Sequence, residues 1–396
     1  MEAPLDGITV LDISQSAAAP SATQALAELG AEVLSVEPPG GGAQRRLIGG
    51  TFFPNLCRDK LSIAVDLKSE DGDRILRRLI EEVDVFVHNY RNETIERLGY
   101  DYETVRSYNE GIVYCSVTGF GEDGPYSDRP ALDPLAQAMS GLMDVTGEPD
   151  RKPSRVGSSV IDVSTGFVAA LGIVVGLFAR ERTGEGRHVE ASLVDTAAAF
   201  MGYWYTHYSK TGESPVRSGH TYDGYAPVGV FETADDPVYL SVPYQPIWRR
   251  FCEAIDRAGW IDDPRFETDD DRLEHRDALY AAIEEVFGQY TREELMSVLL
   301  ANDVPVSEVN SVPEAHRDEH LRRRGTVTEI DDTDGEKVTV STTPLRVHGT
   351  ERSPGPLPEV GEHTEAVLRS LDFSDDEIAV FHERGTIESP DAPFEK

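Results

Sequence analysis

The chain has 396 residues, with 37 Lys plus Arg against 72 Asp plus Glu and a formal net charge of −35. That length is too great for one ordinary core and points to two domains, or one large domain with an insertion. The charge argues against nucleic acid and against an anionic membrane as partners, because both need a basic face.

Ile8–Ile13 reads as a short apolar strand, and Ser21–Leu29 as a helix with Pro20 suited to its first turn. Gly30 ends that helix, Glu32–Val36 is the next strand, and Ser62–Leu67 another. A charged helix over Asp71–Glu82 precedes strands at Val83–Val87 and Ile112–Val117. Helices at Leu135–Leu142 and Val163–Arg180 lead to a strand near His188–Ser192 and a further helix. Such alternation predicts an α/β fold with a mostly parallel sheet covered by helices. The most apolar run, Gly166–Ala179, is 14 residues, short of the ~20 that span a bilayer, and is expected to be a buried helix.

Texture changes near residue 205. Residues 1–205 are expected to form one domain and 206–225, rich in Gly, Ser and Tyr, a linker. Residues 226–322 read as a smaller α+β domain, with strands Val228–Thr233 and Val238–Val242 and helices Pro246–Ala258, Arg276–Tyr290 and Arg292–Asn302. Residues 323–396 are expected to return to the first domain. There Thr326–Ile330 and Lys337–Ser341 flank Asp334-Gly335, a two-residue hairpin signal. Helices at Thr364–Leu371 and Asp375–His382 close the chain.

Six lysines against 31 arginines, in so acidic a chain, suit very high salt, where carboxylate repulsion is screened. The expectation is a cytoplasmic protein of an extreme halophile. Cys57, Cys115 and Cys252 are scattered and form no Cys-x-x-Cys, and the N-terminus has no signal-peptide pattern.

Several motifs point to less than they first suggest. The turn Ser14–Pro20 after the first strand holds no glycine, so a dinucleotide fingerprint is absent, and Glu37 alone is a weak ribose signal. His316 and His320 have a zinc-capable spacing on one expected helix but no third ligand; a solvated charged helix is the better reading, and no metal is expected. Asp332-x-Asp334-Gly335 fails as a calcium loop because Ile330 falls on the first ligand position. Pro38-Pro39-Gly40-Gly41-Gly42, with Arg45 and Arg46 beyond, is either a surface loop or a turn beside a bound anion. Asp162 follows Gly157-Ser-Ser-Val-Ile and opens the apolar helix. A carboxylate there serves either as a cap or as a nucleophile, and local chemistry alone leaves both open.

Taken in order, a longer set of motifs resembles the class III CoA-transferases, the family of formyl-CoA transferase and carnitine CoA-transferase. The set runs through Gly7-Ile-Thr-Val-Leu-Asp-Ile, Leu29-Gly-Ala-Glu-Val, Val65-Asp-Leu-Lys68, Asp84-Val-Phe-Val-His-Asn89-Tyr-Arg91 and Arg97-Leu-Gly99. It continues with Ser116-x-Thr-Gly-Phe-Gly121, Gln137-Ala-x-Ser-Gly141, Gly157 to Asp162, Ala226-Pro-x-Gly-Val-Phe231 and Gly361-Glu-His-Thr364. The resemblance implies an interlocked homodimer, with a Rossmann-like large domain built from both chain ends and a smaller central domain. It implies that Asp162 is the nucleophile, passing through an acyl-aspartyl anhydride and an aspartyl-CoA thioester, with the start of its helix helping to hold the oxyanions. Coenzyme A enters as acyl-CoA substrate, with no permanently bound cofactor. Its implied contacts are Ala17, Ala18, Val65, Asp66, Leu67, Lys68, Asn89, Tyr90, Arg91 and Arg97.

Three departures weigh against oxalate and formyl-CoA: Ala17 replaces a glutamine, Pro38 an arginine, and Tyr244-Gln245-Pro246 a glycine-rich lid. The substrates expected are an acyl-CoA and a small carboxylic acid, namely succinyl-CoA and mesaconate or a related dicarboxylate. An acyl-CoA racemase of the same superfamily is the rival, but Ala131-Leu132-Asp133 holds no histidine where its base would fall. A non-catalytic CoA-binding protein is the second rival.

Overall fold

The computed structural model describes residues 3–350 and 354–390. Strands β1 (Thr9–Asp12), β2 (Glu32–Glu37), β3 (Leu61–Val65), β4 (Val85–His88), β5 (Val113–Thr118) and β6 (Arg187–Ser192) form a parallel sheet in the order 3-2-1-4-5-6. The short strand Ile387–Glu388 adds to it antiparallel, pairing Ile387 with Val65. Successive side chains of each strand point to opposite faces and feed two cores. Val10, Val33, Val85 and Val113 pack with the helices Ala18–Ala27 and Val160–Thr183. Leu11, Leu34, Phe86 and Tyr114 pack with Glu70–Glu82 and with Leu368 and Phe381 from the end of the chain. The strand order reverses between β1 and β4, and in sheets of this kind ligands bind outside the carboxyl ends of the strands at that point.

The first helix begins at Ala18, earlier than the expected Ser21, with Pro20 in its first turn, where a missing N–H costs nothing. The long helix departs further from expectation. It runs 24 residues, Val160–Thr183, and is not buried all round. Gly166, Gly172 and Gly176 lie on its packed side. A Cβ on them would stand 2.6 Å from the Ser21 Cβ, 2.5 Å from Val189 and 2.8 Å from Val113. The opposite side leaves Leu171, Val175 and Phe178 more than half exposed. By length and composition this helix is able to cross a membrane, but its glycine side is locked onto the helix Ala18–Ala27 and the sheet.

The described residues form two compact units, those within 1–142, 156–203 and 319–396 in one and 143–155 with 204–318 in the other. Residues 143–155 join the second unit through Arg217, whose guanidinium donates to the Asp144 carbonyl at 2.7 Å. Part of the expected linker is helical, within Gly202–Thr211. In the second unit Val228–Phe231, Val238–Ser241 and Val306–Glu308 form an antiparallel sheet over Trp248, Phe251 and Phe287. Tyr244–Pro246 leads into the helix Gln245–Ala254, with Pro246 in the first turn. The Asp334-Gly335 hairpin has a wider loop than two residues, since the strands separate at Asp331 and Lys337.

Candidate active site

Two clefts open at the carboxyl ends of the strands. The larger, of about 580 Å³, is lined by the ends of β1 (Ser14, Gln15), β2 (Glu37, Pro38) and β3 (Val65–Lys68), together with Gln44, Arg46 and Tyr90. The smaller, of about 200 Å³, is lined by Ser16, Ala18, Asn89–Asn92, Thr118, Gly119, Arg129, Leu132 and Asp162. Tyr90 belongs to both walls, a layout suited to a long ligand with dissimilar ends.

The turn after β1 is held from beneath and from the side. Beneath it, Asp12 is 2% exposed; its Oδ1 accepts from the Ser14 N–H at 2.9 Å and the Ser14 hydroxyl at 2.5 Å. Its Oδ2 accepts from Thr23 Oγ1 at 2.5 Å and from Lys60 Nζ at 3.2 Å. Lys60 also donates to the Pro20 carbonyl at 3.1 Å. A buried charge pair survives only when its remaining valences are met, and here they are. From the side, the Asn89 amide accepts the Gln15 N–H at 2.9 Å and donates to the Gln15 carbonyl at 2.5 Å. Ser16 adopts φ 62°, a left-handed backbone at the lip of the smaller cleft.

Asp162 is the third residue of its helix and does not cap it. The N-cap position is Ser159, which makes no side-chain cap bond. The N–H groups of Ile161 and Asp162 donate to Asp133 Oδ2, at 2.7 and 3.1 Å. Those amides are therefore spent, and the expectation that the start of this helix holds an oxyanion fails for them. Burial, then repulsion from Asp133, pushes the Asp162 carboxyl up to about 6. Raised carboxylates that face a cleft are candidates for chemistry.

Of the anticipated coenzyme contacts, Val65, Asp66, Leu67, Lys68 and Tyr90 line the larger cleft, and Ala18, Asn89, Tyr90 and Arg91 the smaller. Ala17 and Arg97 line neither. Ala17 is packed against Phe53, Leu56 and Leu357, and Arg97 is exposed on the helix Asn92–Leu98. Glu37 is unavailable to a ribose: Arg45 binds it through two N–H groups at 2.8 and 2.6 Å, Ser62 donates at 2.6 Å and the Gly42 N–H at 2.7 Å. Burial opposes its charge, but these donors hold its carboxyl below the ordinary range. Arg45 is thereby consumed, and Arg46 is the arginine of that loop that faces the cleft.

Asp12, Asp133, Gln44 and Arg129 were not singled out by sequence. Only the helix-opening Asp133-Pro134 step gave a local signal, since Pro favours a first turn. The two histidines expected on one helix lie on separate helices, Val312–Arg317 and Glu319–Arg323, broken at Asp318. Among the described residues no group of three or more His, Cys, Asp or Glu is placed to hold a metal ion.

The sheet order and the position of the clefts define a doubly wound α/β protein with its clefts at the switch point, where sheets of this kind take their ligands. The model of CoA-transferase family III matches residues 5–364, and the chain belongs to that family. It is 33% identical over 383 residues to a succinate–glutarate CoA-transferase of Agrobacterium fabrum, covering 93% of this chain and 96% of that protein. It is 32% identical over 381 residues to a succinyl-CoA:mesaconate CoA-transferase of Haloarcula hispanica, covering 92% and 95%. A crystal structure of a CaiB/BaiF family protein from Brucella suis matches with a TM-score of 0.85 at 32% identity, over 94% of this chain and all of that one. This chain is thus a class III CoA-transferase, an enzyme that uses CoA thioesters.

Proposed function

We propose that the chain transfers CoA from succinyl-CoA, or a closely similar acyl-CoA, to a small dicarboxylic acid, with Asp162 as the covalent carrier. The observation that carries the reading is the Asp162 carboxyl: it faces a cleft, caps nothing, and is more basic than an ordinary aspartate. At neutral pH it is mostly ionised, yet a stronger nucleophile for its basicity. One oxygen attacks the thioester carbonyl, the C–S bond breaks, and CoA thiolate leaves an acyl-aspartyl anhydride. The thiolate then attacks Cγ of Asp162 and releases the donor acid, leaving an aspartyl-CoA thioester. An acceptor carboxylate attacks the same Cγ and displaces the thiolate, forming a second anhydride. The thiolate attacks the acceptor's carbonyl carbon, and Asp162 is freed. Each step exchanges one activated acyl bond for another, so the sequence is balanced without ATP.

Dicarboxylates are favoured by two cations in the Asp162 cleft. Arg91 and Arg129 line it, and among the described residues neither has a carboxylate partner. In a chain of net charge −35, arginines left without acid partners beside a reactive carboxylate suit an anionic substrate. Lys68 and Arg46, in the larger cleft, suit the coenzyme phosphates. Racemisation is disfavoured because Ala131-Leu132-Asp133, where its base would fall, holds no histidine, and the acid of that segment, Asp133, is 4% exposed and occupied by backbone donors. A second copy is the natural cover for the exposed Leu171, Val175 and Phe178 face. Incubation with succinyl-CoA followed by peptide mass mapping tests the reading. A CoA or succinyl adduct on the Asp162 peptide is expected; turnover without any adduct, undiminished in Asp162→Ala, overturns it.

A further inference from the structure

The helix that carries Asp162 is capped from outside its own sequence. Asp133 opens the helix Asp133–Ser140, is 4% exposed, and reaches across to the first turn of the helix Val160–Thr183. Its Oδ2 accepts the Ile161 and Asp162 N–H groups, while its Oδ1 accepts Gln137 Nε2 at 2.5 Å. Gln137 is fixed in turn, because its Oε1 accepts the Val156 N–H at 2.9 Å. Helix first-turn N–H groups normally find a cap within a few residues. Here the cap lies 28 or 29 positions away and places a second carboxylate behind the reacting one.

We propose that Asp133 is a positioning residue for Asp162, holding its backbone through two N–H bonds and setting a fixed negative charge behind the reacting carboxyl. The inference rests on Asp162 being the nucleophile. The arrangement acts in two ways. It orients the first turn so that the Asp162 side chain faces the cleft. It also repels the free carboxylate but not the acylated one, since the anhydride and the thioester carry no charge on Asp162. Formation of the covalent states therefore relieves a like-charge contact, and the nucleophile keeps a high basicity. The other charged groups lining the cleft, Arg91 and Arg129, are cations and act in the opposite sense.

The test compares Asp133→Asn and Asp133→Ala with the parent enzyme, following CoA exchange from succinyl-CoA as a function of pH. Asn keeps an acceptor oxygen for the two N–H groups but removes the charge and the bond from Gln137 Nε2. Its acid limb is expected to move to lower pH, by up to about one unit because burial is the larger cause of the raised carboxyl, with the KM for acyl-CoA within about twofold. Ala removes cap and charge, and kcat is expected to fall at least about tenfold further. If Ala does not fold, the Asn profile alone decides. An acid limb that stays in place in Asn, with kcat unchanged, overturns the inference. Failure of the parent reading shows differently: Asp162→Ala would then retain turnover, whatever the Asp133 variants do.

Discussion

Gly166 lies one turn beyond Asp162, where the helices Ala18–Ala27 and Val160–Thr183 cross. A Cβ at that position would stand 2.6 Å from the Ser21 Cβ and 2.7 Å from the Ala18 carbonyl oxygen. Unstrained contacts need about 3.5 Å or more, so in Gly166→Ala the helices must separate by roughly 1 Å. Overpacking of this kind costs ~1–3 kcal/mol, and the better helix propensity of Ala returns ~1 kcal/mol, leaving ~0–2 kcal/mol. Function is the more sensitive readout. The moving segment carries Asp162 on one side and Ala18 on the other, both in the wall of the smaller cleft. A displacement of ~1 Å between reacting groups lowers turnover by ~10–100-fold. Steady-state CoA exchange should show that loss in kcat, with the KM for acyl-CoA little changed. Gly259→Ala is the control, since a Cβ there meets nothing within 4 Å. A Gly166→Ala enzyme with kcat within a factor of two of the parent would refute the argument that this crossing sets the nucleophile.

Asp162→Asn should stabilise the protein at neutral pH while abolishing transfer. The folded-state carboxyl titrates near 6 rather than 3.8, so its stabilising protonated form is fully present below about pH 4 and lost as the pH rises through about 6. The cost of holding it ionised at pH 7 is up to ~3 kcal/mol. Denaturant midpoints of the two proteins should differ at pH 7 and converge near pH 4; identical midpoints throughout contradict this. Arg129→Leu should raise the KM for a dicarboxylate acceptor ~10-fold or more and leave a monocarboxylate unaffected, as expected for loss of one charge-assisted bond; equal effects on both acids refute the assignment. With a net charge of −35, folding followed by circular dichroism should weaken as NaCl falls from molar to millimolar. Full stability in dilute buffer contradicts the high-salt reading.

Local pattern served best where local physics decides. β1 to β5 were visible as short, largely apolar runs, because strands covered on both faces have little polar side, whereas β6, with Arg187, His188 and Glu190, is a half-exposed edge strand. The long helix was foreseen, yet its exposed Leu171–Val175–Phe178 side was not. A run rich in Val, Leu and Phe does not say which of its sides meets the sheet; the glycines do, through their close approaches. Asp162 was readable as cap or nucleophile. The cap reading fails for a reason invisible along the chain, namely that Asp133 occupies the amides from another helix. Glu37 and Arg45 looked available in sequence and consume each other in space. Lys60 carried no local signal along the chain, and its role is set by Asp12 and Thr23, which close around it.

The central claim is that Asp162 passes acyl groups through its own oxygens, and heavy-oxygen labelling tests this most directly. In the proposed sequence the donor acid departs with one Asp162 oxygen, and the acceptor acid leaves one of its oxygens behind. Turnover with a heavy-oxygen-labelled acceptor should therefore place label in the Asp162 peptide, and in no other, rising over the first few turnovers to at most two heavy oxygens per active site. Product formed over many turnovers with that peptide still unlabelled would contradict the account.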